Sequence, residues 1–542
     1  MEINLIGVKP KNRIGETERP RLWILRCVAL TVLAVILQAA VIHKLSSKGI
    51  IDKLIPWDEC ALIYMGISNA FHIKLGFFWK KLFFAHSPLA IGSATIAAMI
   101  VPQSDTAPYA INIVYLIALF LFINKALRNH GLSSLLAFLL IVVTTPFIFV
   151  FTSHIKTDFH GGILFFMLLS YLFLDTGRDD DKAKILWVPA LLSILILMTK
   201  PMAFYLPVLL SAVFVLSAIS QFLSDSKHSR ARPIVQFHGV LVLITLLAYA
   251  CLVIPNFKFF KTYIAYALGP LWAAEVPLKI KLLYYLPFVG GDGENDFWGK
   301  NYVSFVVVIV CFAVAVAKID DKKRVLIRAT AILAATLVAY LPIVLSPQIQ
   351  WSFGAFFAGA VMALLFNMFC VVQRTFNQRV IANLIIIVAS LCVFNLPTRK
   401  IQGFIPSDAK GLAEAETIVN DFVAKMNPNI IGNAPRPSVF FPFIGPIPYW
   451  DFGIRFYRQY LVLPSGLDQS ITVDSSIIDG GLSAYNYVVM FGEGFKLLTS
   501  FESNRSLAAN QKKIYDNWNL QELSKLPYAG ADYKLYRVVS KK

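Results

Sequence analysis

Two adjacent carboxylates, Asp58 and Glu59, follow the first long hydrophobic stretch of the chain, and a third, Asp158, lies between two later ones. Acids beside a membrane are costly to remove from water, which makes them candidates for function. A single carboxylate at a helix end is more often a cap than a catalyst. Three carboxylates on the same side of a membrane could instead supply a general base. Alternatively, Asp58 and Asp158 could together hold a divalent cation such as Mg²⁺ or Mn²⁺.

Basic side chains and one histidine complete the candidate set. Lys200 lies in a turn between two apolar stretches, and Lys258 and Lys261 begin a later loop. A lysine at headgroup depth can contact a lipid phosphate, but snorkelling toward water explains such a position equally well. His86 precedes a short apolar stretch. Its side chain could contact substrate or a metal ion, or it could have only a structural role.

The composition places the chain among proteins that cross a membrane many times. Of its 542 residues, 57% are hydrophobic and 15% are charged, and the mean hydropathy is +0.64. A polytopic α-helical membrane protein of about eleven spans is predicted, because helices satisfy every backbone group inside a bilayer. The spans are expected at about 22–43, 108–127, 133–151, 159–174, 185–199, 201–219, 234–254, 301–317, 325–345, 352–372 and 380–396.

Lysines and arginines predict which helix ends face the cytoplasm. Five short loops hold fourteen of them, whereas the three short loops in between hold only Lys156 and Lys200. Positively charged loops stay in the cytoplasm, and so the basic N-terminal segment 1–21 is predicted inside and the three acids outside. The same bias explains much of the net charge of +18 without a nucleic-acid partner.

The predicted membrane domain covers residues 22–396. It has long outer loops at 44–107 and 255–300, and the first of these includes a short helix, 88–101, that lies in the membrane interface or is re-entrant.

A change of composition after residue 396 predicts a small α/β domain outside the cytoplasm, at 397–542. An amphipathic helix is expected at 406–426, and none of the six cysteines lies in this domain, which argues against a disulfide framework there. Strands are expected at Val439–Phe443, Tyr485–Phe491 and Tyr533–Val539.

In order and spacing, these motifs resemble the GT-C class of membrane glycosyltransferases, most closely the family of protein O-mannosyltransferases and lipid A aminoarabinose transferases. That pattern has an acidic pair after the first span, a proline motif opening an interfacial helix, a basic span end, an acid heading a span and a Thr-Lys pair. The matching residues are Asp58-Glu59, His86-Ser87-Pro88-Leu89, Lys125 to Arg128, Asp158 and Thr199-Lys200. Farther on, Tyr449-Trp450-Asp451-Phe452-Gly453 is similar to the Trp-Trp-Asp-Tyr-Gly motif of oligosaccharyltransferases.

The resemblance implies an inverting glycosyltransferase that moves a sugar from a polyprenyl-phosphate donor to a protein, lipid or glycan acceptor. Asp58 would be the general base, Asp158 would orient the acceptor or share a cation with Asp58, and Glu59 would support them. The donor phosphate would be stabilised by Lys200, Lys258 and Lys261. Apart from a divalent cation between the acids, no cofactor is implied.

The resemblance also implies a bacterial inner-membrane protein whose active site and C-terminal domain face the periplasm or exterior. Two other functions stay open on the residues alone. A transporter or flippase of lipid-linked sugars would line a path to both sides with the acids and Lys200, although the chain shows no internal repeat of the kind common in transporters. A non-catalytic scaffold for envelope assembly would leave the acids dispensable.

Overall fold

The computed structural model describes most of the chain but not all of its segments. The described residues are 20–47, 57–74, 88–104, 106–145, 148, 151, 154–155, 157–174, 186–200, 203–224, 231–257, 260–261, 264, 279, 282, 302–345, 354–376, 378–392, 409–426, 437–442, 447, 449–469, 481–491, 507–528 and 531–542.

The part of the chain before residue 393 is helical wherever regular structure is described. Its helices are α1 (Pro20–Ser47), α2 (Trp57–Lys74), α3 (Pro88–Ile100), α4 (Ile111–Ala126), α5 (Gly131–Thr144), α6 (Thr157–Phe173), α7 (Trp187–Thr199), α8 (Tyr205–Ser224), α9 (Ala231–Val253), α10 (Tyr302–Lys318), α11 (Lys322–Leu345), α12 (Gly354–Thr375) and α13 (Gln378–Cys392). A 3-10 turn, Ala107–Ala110, leads into α4.

Within the described residues, six helices are long and apolar enough to cross a membrane: α1, α4 with its preceding turn, α8, α9, α11 and α12. The other five predicted spans are helices of 10–17 residues in the described part of the chain. At 1.5 Å per residue those shorter helices fall below the roughly 30 Å of a bilayer core. The structure therefore confirms a mostly helical membrane protein, and eleven crossings stay a prediction.

Helix α12 lies at the centre of the bundle. In its apolar window 83% of the residues are buried, against 44% or less in the other five long helices. Glycines let it approach α6 closely, because a Cβ at Gly359 would collide with the backbone oxygen of Gly162. Outer helices instead expose large aliphatic side chains, such as Val208 and Val235, as expected of surfaces that face lipid.

The two ends of the bundle carry different residues. At one end, the Arg128 guanidinium lies 5.3 Å from the centre of the Trp23 ring, and Lys318 lies 5.1 Å from that of Phe376. Ser134 at the start of α5 donates to Gln373 near the end of α12 over 2.8 Å, which places those helix ends together. This end, with its many cations, is called the basic end below.

The described residues of the C-terminal part form a five-stranded sheet with helices on both faces. Strand order is β2-β1-β3-β5-β4, in which β1 pairs in parallel with β2 and β3, and β5 pairs antiparallel with β3 and β4. The elements are α14 (Ala409–Lys425), β1 (Ser438–Phe441), α15 (Tyr449–Tyr460), β2 (Gly466–Gln469), β3 (Tyr487–Phe491), α16 (Leu507–Asn517), β4 (Trp518–Tyr528) and β5 (Ala531–Lys541).

Alternation along the strands builds two small cores. Val439 and Phe441 of β1 face α14 and α15, where they meet Phe422 and Phe452. Phe440, between them, joins the core on the other face, which α16 covers. Side chains alternate because successive residues of a strand point to opposite faces.

Helix α15 also connects this sheet to the membrane helices. Its Ile454 and Tyr457 pack in one buried cluster with residues of α2 and α3, and the Tyr457 ring meets the Phe71 ring edge-on at 6.5 Å. The C-terminal part is therefore docked against α2, the helix that begins at the acidic pair.

Candidate active site

Asp58 and Glu59 lie in the first turn of α2, whose bounds are Trp57–Lys74. Carboxylates are favourable there because the helix dipole is positive at the N-terminus. Their side chains lie outside the described residues, as do His86 and Lys258. Cys60, Ile63 and Ile67 follow at helical spacing and are buried against α3 and α15.

Asp158 is the second residue of α6, and its side chain also lies outside the described set. The turn that carries it is held by a neighbouring buried pair. Nε2 of His160 lies 2.8 Å from Oδ1 of Asn112, and Nδ2 of Asn112 donates to the backbone oxygen of His154 over 2.8 Å. Because the Asn112 amide nitrogen donates, its oxygen accepts, and Nε2 of His160 carries the proton.

Aromatic rings fix the orientation of that histidine. The His160 ring stacks on Tyr115 with 4.2 Å between centroids and 2° between planes, and the Phe151 ring meets it edge-on at 5.2 Å. Both His160 and Asn112 are buried. The start of α6, and with it the backbone of Asp158, is therefore tied to α4 and to the segment that precedes α6.

Lys200 follows the last residue of α7 and is half-buried. The end of α7 lies against the start of α6, because a Cβ at Gly161 would lie 2.9 Å from Oγ1 of Thr199. The same Cβ would lie 2.5 Å from the Phe356 ring at the start of α12. The backbones of Asp158 and Lys200 are thus at the same end of the bundle, opposite the basic end.

The helix of the acidic pair meets the Asp158 segment at this end too. Ile155, three residues before Asp158, belongs to the buried cluster that contains Cys60, the residue after Glu59. Tyr109 joins the same cluster, and its backbone oxygen accepts from the buried Gln38 of α1 over 3.2 Å. The structure thus brings together the helix ends that carry Asp58, Glu59, Asp158 and Lys200, which we call the acidic end. Lys261 is exposed.

Arg458 of α15 is a charged residue at the acidic end that the sequence motifs did not indicate. Its Nη2 donates to the backbone oxygen of Ser104 over 3.2 Å. Burial lowers the pKa of its guanidinium to about 10, and the nearby Cys60 acts in the opposite direction. The signal for this residue was the i, i+4, i+7 spacing of Asp451, Arg455 and Arg458, which puts all three on one face of α15.

Asp451, in the Tyr449–Gly453 motif, is fully buried. The pKa of its carboxyl is raised to about 6, chiefly by burial; Arg455 opposes this rise, and Glu416 of α14 adds to it. With no exposure to solvent, this carboxylate is an internal group of the C-terminal part.

Among the described residues no group of three or more His, Cys, Asp or Glu side chains could hold a metal ion. The side chains of Asp58 and Asp158 lie outside that set, so a cation between these two acids stays a proposal.

No protein-family model matches the sequence, and no curated protein matches it either. Similar folds occur among solved structures. ArnT from Cupriavidus metallidurans, solved bound to undecaprenyl phosphate, matches with a TM-score of 0.50 at 11% identity, over 96% of this chain and 99% of that one. ArnT is a GT-C enzyme. The chain has the GT-C fold.

A second similar solved structure is the oligosaccharyltransferase of Archaeoglobus fulgidus, tethered to an acceptor peptide. It matches with a TM-score of 0.42 at 11% identity, over 93% of this chain and 74% of that one. The GT-C resemblance expected from the motifs around Asp58, Asp158 and Lys200 is confirmed at the level of the fold.

Proposed function

We propose that this protein is an inverting glycosyltransferase that moves a sugar from a polyprenyl-phosphate donor to a protein, lipid or glycan acceptor at the outer face of a membrane. The observation that carries the proposal is the acidic end, where the helix ends bearing three acids and a lysine meet within a GT-C fold. A fold by itself hosts many functions, and so the residues decide the chemistry.

Asp58 is the general base of the proposed reaction. It removes the proton of an acceptor hydroxyl or amine as that group attacks the anomeric carbon and the bond to the donor phosphate breaks. One base suffices for direct displacement, which inverts the anomeric centre. Asp158 orients the acceptor or shares a divalent cation with Asp58, and Glu59 supports the pair.

Lys200 stabilises the charge that develops on the departing phosphate. The leaving group is already a phosphate, and so electrostatic stabilisation matters more than a strong acid. Lys258 and Lys261 are proposed to add to this effect. Lys200 suits the role because it is half-buried at the end of α7, beside the Asp158 turn, where its charge is less screened than in water.

The decisive experiment measures transfer from a purified polyprenyl-phosphate sugar in liposomes. Asp58→Asn keeps the shape of the side chain and removes the base, so transfer should fall by roughly 10²-fold or more while donor binding persists. Asp320→Asn, in the exposed turn between α10 and α11 at the basic end, is the matched control and should transfer at the parental rate. Parental activity in Asp58→Asn would exclude Asp58 as the base.

A second pair of variants tests the positive charge of Lys200. Lys200→Ala should weaken donor affinity, turnover or both, and Lys200→Arg should be milder because a positive charge remains. Equal losses in both variants would indicate that geometry, not charge, is what Lys200 supplies.

A chelator titration tests the divalent ion. If Asp58 and Asp158 share a cation, EDTA should abolish transfer, and Mg²⁺ or Mn²⁺ should restore it. Full activity in EDTA would leave Asp158 with the orienting role alone. Movement of labelled lipid across the bilayer without any transfer would favour a flippase instead.

A further inference from the structure

Arg458 reaches from the C-terminal part of the chain into the helices that form the acidic end. Its Nη2 donates to the Ser104 backbone oxygen, beyond the end of α3, over 3.2 Å. Its Nε and Nη1 atoms have no contact with solvent. A cation near the end of α3 also complements the negative end of that helix dipole.

Arg458 lines a small pocket whose other described lining residues are mostly apolar. The pocket that Arg458 lines is otherwise formed by α2, α3 and the turn that follows α3. Its other lining residues are Ile63, Ile67, Ala94, Ala98, Val101, Pro102, Ser104 and Pro108. Arg458 therefore lies where α15, α2 and the turn after α3 meet.

The charge lies close to the acidic pair along α2. Cys60 is fully buried, lies within electrostatic reach of Arg458 and directly follows Asp58-Glu59 in the first turn of α2. On the same helix as Arg458, Ile454 and Tyr457 pack into the cluster that contains Cys60 and Ile155. One face of α15 thus contacts the segments that lead into both acid-bearing turns.

We propose that Arg458 is a positioning residue of the active site, which fastens the acid-bearing turn of α2 to α15, so that transfer requires the C-terminal part to be docked. The proposal rests on the proposed function for its catalytic consequence. Its structural core, the fastening of α2, can be tested without any activity.

The catalytic test compares three variants in the full-length protein. Arg458→Met keeps the length of the stem and removes the charge, and it should lower kcat by about tenfold while the donor KM changes less than twofold, because α2 is misplaced and donor contacts are kept. Arg458→Lys should recover most of the rate. Arg537→Met, the same change at an exposed arginine of β5, should be parental.

If Arg458 only stabilises the fold, Arg458→Met should lower the amount or the thermal stability of folded protein and leave kcat per folded molecule unchanged. That result would overturn the proposal. If Arg458→Met does not fold, Arg458→Gln, which removes the charge and shortens the side chain but keeps a polar end, replaces it with the same expected loss of kcat.

The activity-independent test is peptide-resolved alkylation of the native cysteines. Cys60 is buried under α15, and Cys370, equally buried, lies far away in α12. Arg458→Met should raise the alkylation rate of Cys60 several-fold and leave that of Cys370 unchanged, whereas Arg537→Met should change neither. Unchanged protection of Cys60 would refute the fastening. If the parental protein transfers no sugar, the proposed function fails, while this measurement still decides the role of Arg458.

Discussion

Asn112 and His160 show how uncharged residues can matter at a site whose chemistry is carried by acids. Their hydrogen bond, 2.8 Å long, and the bond from Asn112 to the His154 backbone tie two helices to the turn that carries Asp158. Such a buried network fixes a backbone more tightly than apolar contact would, because each bond has a preferred direction. Its loss should therefore appear in catalysis as well as in stability.

Asn112→Leu should lower turnover by about tenfold with little change in donor KM, because the Asp158 turn loses its anchor. Stability should also fall, by roughly 1–3 kcal/mol, since His160 loses its buried partner. Asn124→Leu is the matched control: Asn124 is buried near the opposite end of the same helix, α4, and its Nδ2 lies 3.7 Å from Sγ of Cys27. It should affect stability but not turnover, and equal effects on turnover would contradict the positioning role.

Asp451 gives a pH-dependent contribution to stability. Burial raises the pKa of its carboxyl from 3.8 to about 6 in the folded protein. The stabilisation linked to the bound proton is complete below pH 3.8 and is lost as the pH rises through about 6. The folded state at neutral pH is then less stable by about 2–3 kcal/mol than it would be with a neutral side chain.

Asp451→Asn should therefore raise the unfolding temperature in detergent at pH 7.5, and the gain should shrink toward pH 4.5. The control is Asp516→Asn, an exposed acid of α16, which should change little at either pH. A gain in Asp451→Asn that is the same at both pH values would show that the buried charge is not its cause.

At the scale of elements, glycines decide how closely the central helices pack. Gly359 of α12 faces the Gly162 backbone of α6, and an added Cβ would meet backbone atoms that cannot rotate away. Gly239 in α9 has nothing within 4 Å of the same position. A change from glycine to alanine should thus destabilise the protein at Gly359 but not at Gly239.

Gly359→Ala should destabilise the protein by roughly 1–3 kcal/mol, because the added Cβ pushes α6 away from α12. Transfer should also fall, because α6 carries Asp158. Gly239→Ala should be neutral or stabilising by up to about 1 kcal/mol, as expected for alanine in an uncrowded helix. Thermal unfolding and transfer assays on both variants decide this. Tolerance of Gly359→Ala would show that α6 and α12 are not in tight contact.

Local pattern predicted many of the elements. Hydrophobic stretches located the helices of the membrane part other than α2, which lies within the predicted outer loop 44–107, and β-rich runs located β1, β3 and β5. Strands β2 and β4 were missed because their sequences, Gly466–Gln469 and Trp518–Tyr528, are rich in polar residues. Both lie at the edges of the sheet, where burial imposes little alternation.

The site was predicted less completely, for a physical reason. The acids and Lys200 were visible because charge at a membrane boundary is conspicuous in an apolar sequence. Asn112 and Arg458 were not, because their roles come from partners 48 and 354 positions away along the chain. Only the packed fold brings such residues together.

At the scale of the whole molecule, the two ends of the bundle differ in charge. The basic end gathers Arg128, Lys318 and Arg374, whereas the acidic end gathers the helix ends of the proposed site and the docked C-terminal part. Positively charged loops are retained in the cytoplasm. The acidic end and residues 397–542 are therefore expected outside.

Two engineered cysteines test this orientation in intact cells with a membrane-impermeant maleimide. Lys512→Cys, exposed on α16, should be labelled from outside. Asp320→Cys, exposed between α10 and α11 at the basic end, should react only after the membrane is permeabilised. Peptide-resolved detection separates both from the native cysteines. The reverse pattern would put the acidic end in the cytoplasm, where a donor presented on the outer face could not reach it, and the proposed reaction would then have to use a cytoplasmic donor and acceptor.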